Sequence, residues 1–267
     1  MIKNYLLLDF RNMRRQPTVT FINVLGLGSA MAATIILALF VKHERSFKDM
    51  HEHASDVYRT ITDFHGHFDS TIPYTLALAG PSLADNIPEI RSFSRVFPRH
   101  TTLQLDDQHF TNIPIYYVDS CFNEIFSFPV LEGDPGRALS DPSQVILTKT
   151  VAENLFSGGS AIGQVVEMDV LWIDIARDQL STERRPFVVG AVLEDPPTNT
   201  HLQFEVLAPL LIIPDAQQNQ LQNFFATYLH LDAPLDEELK RKSPALPPTG
   251  SWKFLASTTR SPSICKT

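Results

Sequence analysis

From Val19 to Val41 the chain carries no charged side chain for 23 residues. As a helix this run would reach about 34 Å at ~1.5 Å per residue, enough to cross a hydrocarbon core of ~30 Å with some tilt. A core helix of a soluble domain rarely runs so far without a charge. A secretory signal would be shorter, with a small-residue cleavage site just past its apolar core. Ala30-Met31-Ala32 has small residues, but cleavage there would leave the apolar stretch 34–41 at the new N-terminus. The run is therefore expected to stay as a membrane anchor.

The flanks set its direction. Lys3, Arg11, Arg14 and Arg15 precede the run with one acid, Asp9, whereas Lys42, Arg45 and Lys48 follow it interleaved with Glu44 and Asp49. The unmixed basic cluster predicts that residues 1–18 are cytoplasmic and that the chain beyond Lys42 is extracytoplasmic. Within the leader, Ile2, Tyr5, Leu6, Phe10 and Met13 recur at helical spacing. That pattern predicts an amphipathic helix in the inner interface, ended by Pro17; an ordinary basic stop is the plainer alternative. Within the anchor, Gly26, Ala30 and Ala33 share a helical face beside Gly28 and Ala32, the small-residue pattern that lets two helices approach closely.

Beyond residue 41 the chain holds 18 basic and 29 acidic side chains, a net charge of −11. Nucleic acid is excluded as a partner, because phosphate binding needs clustered Lys and Arg. Cys121 and Cys265 are too few for a disulfide framework. Enrichment in β-branched and aromatic residues predicts strands over 57–64, 90–97, 101–105, 110–118, 144–147, 165–170, 187–193, 201–209 and 226–231. Helices are predicted over 74–86, interrupted at Pro81, over 120–126 with Ser120 as N-cap, over 150–156 closed by Gly158-Gly159, and over 236–242. Strands mixed with short helices give an α+β fold class: an N-terminal amphipathic helix and one transmembrane helix, then a mixed α/β extracytoplasmic domain. The tail from residue 246, rich in Pro, Ser and Thr, shows neither period and is expected to be disordered.

No motif supplies chemistry. Gly158 to Gly163 reads GGSAIG, but Gln164 and Val165 follow where a phosphate-cradling loop needs Lys and then Ser or Thr. The pairs His51/His53 and His65/His67 would need further convergent ligands to hold a metal. Neither a nucleophile elbow nor a singled-out carboxylate pair is present. The expectation is no catalytic residue, no cofactor, no metal and no enzyme.

The order of segments is more specific than any motif. "NYLLLDFRNMRRQPTVTFINVLGLGSAMAATIILALFVKHERSFKDMHEHASDVYR" resembles the start of a MacB/FtsX-type ABC transporter permease. Arg11-Asn12, Phe21-Ile22-Asn23, Gly26-Leu27, Glu44, Ser46-Phe47 and His51 carry the likeness. "FNEIFSFPVLEGDPGRALSDPSQVILTKTVAENLF", "AIGQVVEM" and "FVVGAVLEDPPTNTHLQFEVLAPL" resemble the extracytoplasmic core domain of the same family. The resemblance implies a cytoplasmic helix (1–18), a membrane helix (19–41), a MacB-like core domain (42–245) and a divergent tail (246–267). It also implies a cell inner membrane location, a cytoplasmic ABC ATPase partner contacted by the leader through Arg11, Arg14 and Arg15, and a second permease copy packed on the Gly26, Ala30 and Ala33 face. The family carries three later membrane helices, and no further apolar run of that length follows here, so a truncated permease is expected. The competing expectations are a single-pass, membrane-tethered binding or sensing module and a metal-binding domain built on the His pairs.

Overall fold

The structure, a computed structural model, describes residues 15–46, 56–64, 70–174, 179–198, 200–213, 225–232 and 250–256. The chain divides into two units, Met1–Phe47 and Lys48–Thr267. Arg11 and Arg14, both His pairs and the helix expected over 236–242 lie outside the described residues.

In the first unit, Arg15 is helical, Gln16 is not, and α1 runs over Pro17–Ser46. Pro17 thus opens the helix, where its missing N–H would have had no partner and its fixed φ suits the first turn. Gln16 acts as the cap: its carbonyl accepts from the Thr20 N–H at 3.1 Å and from the Thr20 hydroxyl at 3.0 Å. From Pro17 to Val41 the helix is long and apolar enough to cross a membrane, and none of that stretch is buried.

The second unit begins with β1 (Val57–Phe64), followed by β2 (Ser70–Ile72) and α2 (Ala79–Asn86). The helix expected over 74–86 starts late. Residue Thr75 instead bridges Phe225 in antiparallel fashion, and Pro81 sits in the first turn of α2, where a missing N–H costs nothing. The two strands expected over 90–97 and 101–105 are one, β3 (Ile90–Leu105), whose pairing with β4 (Gln108–Val118) slips between Thr101 and Leu103. Such a bulge lets a long strand bend without ending. Next, α3 (Phe122–Phe126) has Cys121 rather than Ser120 at its N-cap, with no side-chain capping bond.

β5 (Val130–Gly133) and α4 (Pro135–Ser140) were not expected from the sequence. Asp134 caps α4 by accepting from the Arg137 N–H at 3.1 Å, with Pro135 as the first helical residue. After β6 (Gln144–Thr148), α5 (Lys149–Phe156) ends on Ser157 at φ 51° and Gly158 at φ +79°. The GGSAIG segment is thus the turn leaving a helix. β7 (Val165–Asp174) and β8 (Gln179–Leu193) form a long antiparallel pair, both longer than expected. Only Val206–Pro209 of the segment 201–209 is a strand, β9. Residues 202 and 203 spend their N–H groups on the Thr200 hydroxyl and the Tyr116 phenol instead of a ladder. β10 covers Ala226–Leu231. The tail expected to be disordered contributes β11 (Gly250–Ala256), antiparallel to β1 from Tyr58 to Phe64. Pairing with a formed edge orders this segment although its own sequence has no strand period.

The strands form one sheet in the order β11-β1-β10-β3-β4-β9-β6-β8-β5, with β2 beside β1 and β7 joining β3 to β8. The β7 contacts, Leu103 to Met168 and Gln104 to Glu167, close a ring through β3, β4, β9, β6, β8 and β7. Strand alternation sends successive side chains to opposite cores. Ile115, Tyr117, Val145, Leu147, Val206 and Ala208 face a core shared with Val151 and Leu155 of α5. Val118, Ile146, Leu207 and Tyr228 face a second core with Phe122, Phe126 and Leu139 of α3 and α4. Leu83 of α2 and Ile87 just after it close a third against Tyr58 and Leu229. Where β8 passes β5 and β6 there is no room for a side chain: a Cβ on Gly133 would strike the Gly190 carbonyl, and one on Gly190 would strike the Gln144 amide.

Tyr117 and Tyr228 show what this burial does to ionisation. Desolvation pushes both phenols up to about 12. An unfolded chain ionises its tyrosines first, near pH ~10, so folding stability from these groups is intact below that and falls as pH rises toward ~12. The expected loss is about 1 kcal/mol per phenol by pH ~11, read from urea unfolding midpoints across that range. Tyr117→Phe should flatten the profile.

Candidate functional site

Two surfaces stand out once the fold is laid down. The first is the small-residue face of α1. Gly26, Ala30 and Ala33 are all exposed on the helix, and a Cβ added at Gly26 or Gly28 would meet nothing in the chain. The polar groups near this face are satisfied within the helix: the Ser29 hydroxyl donates to the Gly26 carbonyl at 3.0 Å and Thr34 to the Ala30 carbonyl at 2.9 Å. A helix surface with self-satisfied hydroxyls and no bulk suits apolar surroundings and close helix contact. Of the basic residues expected to contact a partner, Arg15 is described, helical and exposed.

The second is a groove of about 330 Å³ in the β-rich unit, lined by Leu131 and Glu132 of β5, Lys149, Ala152 and Glu153 of α5, and Val192 of β8. β5 is the end strand of the sheet and all four of its residues are exposed, Val130 at 44% and Leu131 at 45%. The groove's charges are mostly committed to neighbours. Lys149 Nζ is 3.3 Å from Glu194 Oε1, and the Ser160 hydroxyl donates to Glu132 at 3.1 Å. Beside them, the Thr150 N–H and hydroxyl donate to Asp195 at 3.0 and 2.7 Å, tying the start of α5 to the end of β8.

No nucleophile with an adjacent base lines this groove, and its apolar residues Leu131, Ala152, Ala161 and Val192 under a polar rim suit a contact surface. The Gly158-Gly159 turn forms one wall of it. Sequence reasoning did not find this groove, because its parts lie at 131–132, 149–161 and 192 and meet only through sheet pairing. Among the described residues, no three His, Cys, Asp or Glu side chains gather to hold a metal.

Comparison with known proteins places this architecture. The MacB-like periplasmic core domain family matches residues 20–240. No curated protein matches the sequence significantly. Among solved structures, a domain of a permease protein from Porphyromonas gingivalis is similar with a TM-score of 0.62 at 16% identity, over 77% of this chain and 91% of that one. The periplasmic region of MacB from Actinobacillus actinomycetemcomitans is similar with a TM-score of 0.50 at 12% identity, over 76% of this chain and 90% of that one. At such identities the structures show a shared fold, and the family match covers most of the sequence. The chain belongs to the MacB-like periplasmic core domain family, the extracytoplasmic domain of ABC transporter permeases, here preceded by one apolar N-terminal helix.

Proposed function

We propose that the chain is a permease subunit of a MacB/FtsX-type ABC transporter. In this reading a separate cytoplasmic ATPase hydrolyses ATP, and α1 passes the resulting motion to the outer domain for export or for mechanotransmission. The chain itself performs no chemistry. Its N-terminus is cytoplasmic, its main domain lies outside the inner membrane, and its contacts are the lipid bilayer, the ATPase and a second permease copy. The observation that carries the reading is the pairing, on one polypeptide, of an unburied helical stretch without charge, Pro17–Val41, with a MacB-like domain. Such a helix would expose its whole apolar surface to water unless lipid or other helices covered it. The basic residues before α1 and the mixed charges after it support the direction. The face of Gly26, Ala30 and Ala33 supports packing against another membrane helix.

Reversing Arg14 and Arg15 to Glu is expected to abolish co-purification of the ATPase with the full chain. Because the same charges orient the helix, insertion direction is checked in parallel by impermeant thiol labelling of Asn4→Cys in a chain with Cys121→Ser and Cys265→Ser. Unchanged ATPase recovery with unchanged orientation would show that the leader is not the contact.

A further inference from the structure

We propose that Arg59, Tyr74 and Tyr228, with His201 at the rim, form a binding site for an oxyanion, a carboxylate or phosphate group carried on an apolar body. Arg59 on β1 and Tyr228 on β10 sit directly opposite each other in the sheet, so both side chains leave the same face. Tyr74 follows β2, and the Arg59 guanidinium lies 5.9 Å from its ring centroid and 5.8 Å from that of Tyr228. Arg59 Nη2 donates to the Pro73 carbonyl at 2.8 Å, which fixes the plane of the fork. Nε is buried without a hydrogen bond, and Nη1 has no bond to any described residue.

What sets this arginine apart is the pair of rings beside it. The domain is strongly acidic, and Arg91, Arg95, Arg184 and Arg185 each pair with a carboxylate, whereas half-buried Arg99, with no such pair among the described residues, lies over the single ring of Phe97. Arg59, half-buried, has no carboxylate partner among the described residues; its neighbours are two aromatic rings. Ring faces offset the cost of a half-buried cation only in part. With Nε out of reach, the edge left for a carboxylate or phosphate is that of Nη1 and the second Nη2 hydrogen, which can make two parallel bonds. The surroundings define the rest of the ligand. The exposed Tyr74 ring offers a wall for an apolar body, while exposed His201 has its Nε2 2.8 Å from the buried Tyr228 hydroxyl and fixes that phenol. The inference stands apart from the transporter reading, since it concerns only the β-rich unit.

The test uses the full chain in phosphatidylcholine nanodiscs, titrated calorimetrically with benzoate, acetate and inorganic phosphate. Benzoate is expected to saturate with a Kd of about 1 mM or tighter, acetate about tenfold more weakly, and phosphate should compete with benzoate. Arg59→Met keeps the stem's bulk and should weaken benzoate at least about tenfold, with Arg59→Lys in between because it keeps charge but loses the fork. Tyr74→Ala should bring benzoate and acetate together. Discs containing phosphatidylglycerol separate the sources: loss of benzoate binding there identifies a lipid phosphate as occupant, and unchanged binding identifies a soluble anion. No saturable binding of any probe to the wild-type chain overturns the proposal. So does wild-type affinity in both Arg59→Lys and Tyr74→Ala, variants that retain the packing should Arg59→Met fail to fold.

Discussion

Replacing Asp119 with Ala is expected to cost the β-rich unit on the order of 3–5 kcal/mol, because it strands the buried Arg95 guanidinium. Arg95 sits in the middle of β3 with only 5% of its side chain exposed, and Asp119 follows β4 at 19%. The carboxylate takes three donors: Arg95 Nη2 at 2.7 Å, Nε at 2.9 Å and the Arg95 backbone N–H at 2.8 Å. Nη1 donates to the Ala77 carbonyl at 2.8 Å, just before α2. One ion pair therefore joins β3, the β4–α3 turn and the approach to α2. Its worth lies in the joining, since burying two charges costs much of what their attraction returns. That argument predicts a pattern. Asp119→Ala alone should be severe, whereas Arg95→Met with Asp119→Ala should recover most of the loss by removing both charges. Arg95→Lys should not restore the wild-type value, because an ammonium cannot make the two-pronged contact. Urea midpoints of the full chain, at unchanged m-value, measure all three. A loss below about 1 kcal/mol for Asp119→Ala would mean the pair is solvated and does not hold the turn.

The sequence was legible where a segment's own side chains decide its state. Residues 57–64, alternating Val, Arg, Ile and Asp with Tyr, Thr, Thr and Phe, are β1 with the expected bounds, and 226–231 is β10. It was illegible where a neighbour decides. β5 buries none of its four residues and exists through its ladder to β8, and β11 exists through β1. Residues 201–205 have strand-like composition, yet Leu202 and Phe204 bury themselves from a loop whose N–H groups are taken by side chains. The ring is less visible still, since two residue pairs between β3 and β7 close it. For the surfaces, the α1 face reads directly from spacing because one helix carries it. The groove and the Arg59 cluster combine residues far apart in sequence, which no linear pattern displays.

Phe122→Ala is expected to destabilise by about 3–5 kcal/mol, the range for emptying a fully buried aromatic site. Phe122 is 0% exposed and opens the segment FNEIFSFPV. Its ring centroid lies 4.8 Å from that of Phe126, 5.9 Å from Phe128 in a stacked pair and 5.9 Å from Phe204 at 80°. Phe128 meets Phe204 at 5.0 Å, and Phe126 meets Tyr228 at 4.9 Å, both edge-on. Aromatic rings so interlocked cannot collapse onto a void without leaving their rotamers, so the cavity term should be large. Phe122→Leu should keep most of the volume and cost much less. The position also bears on the ion pair, because the Phe122 N–H donates to the Asp119 carbonyl at 3.1 Å. The aromatic wedge presses α3 onto the sheet at the turn that carries Asp119, so each should hold the other in place. A double-mutant cycle between Phe122→Leu and Asp119→Asn is expected to show coupling above about 0.5 kcal/mol. Additive effects would make the wedge and the ion pair separate supports, and the β4–α3 turn would then be held twice over rather than by one joined unit.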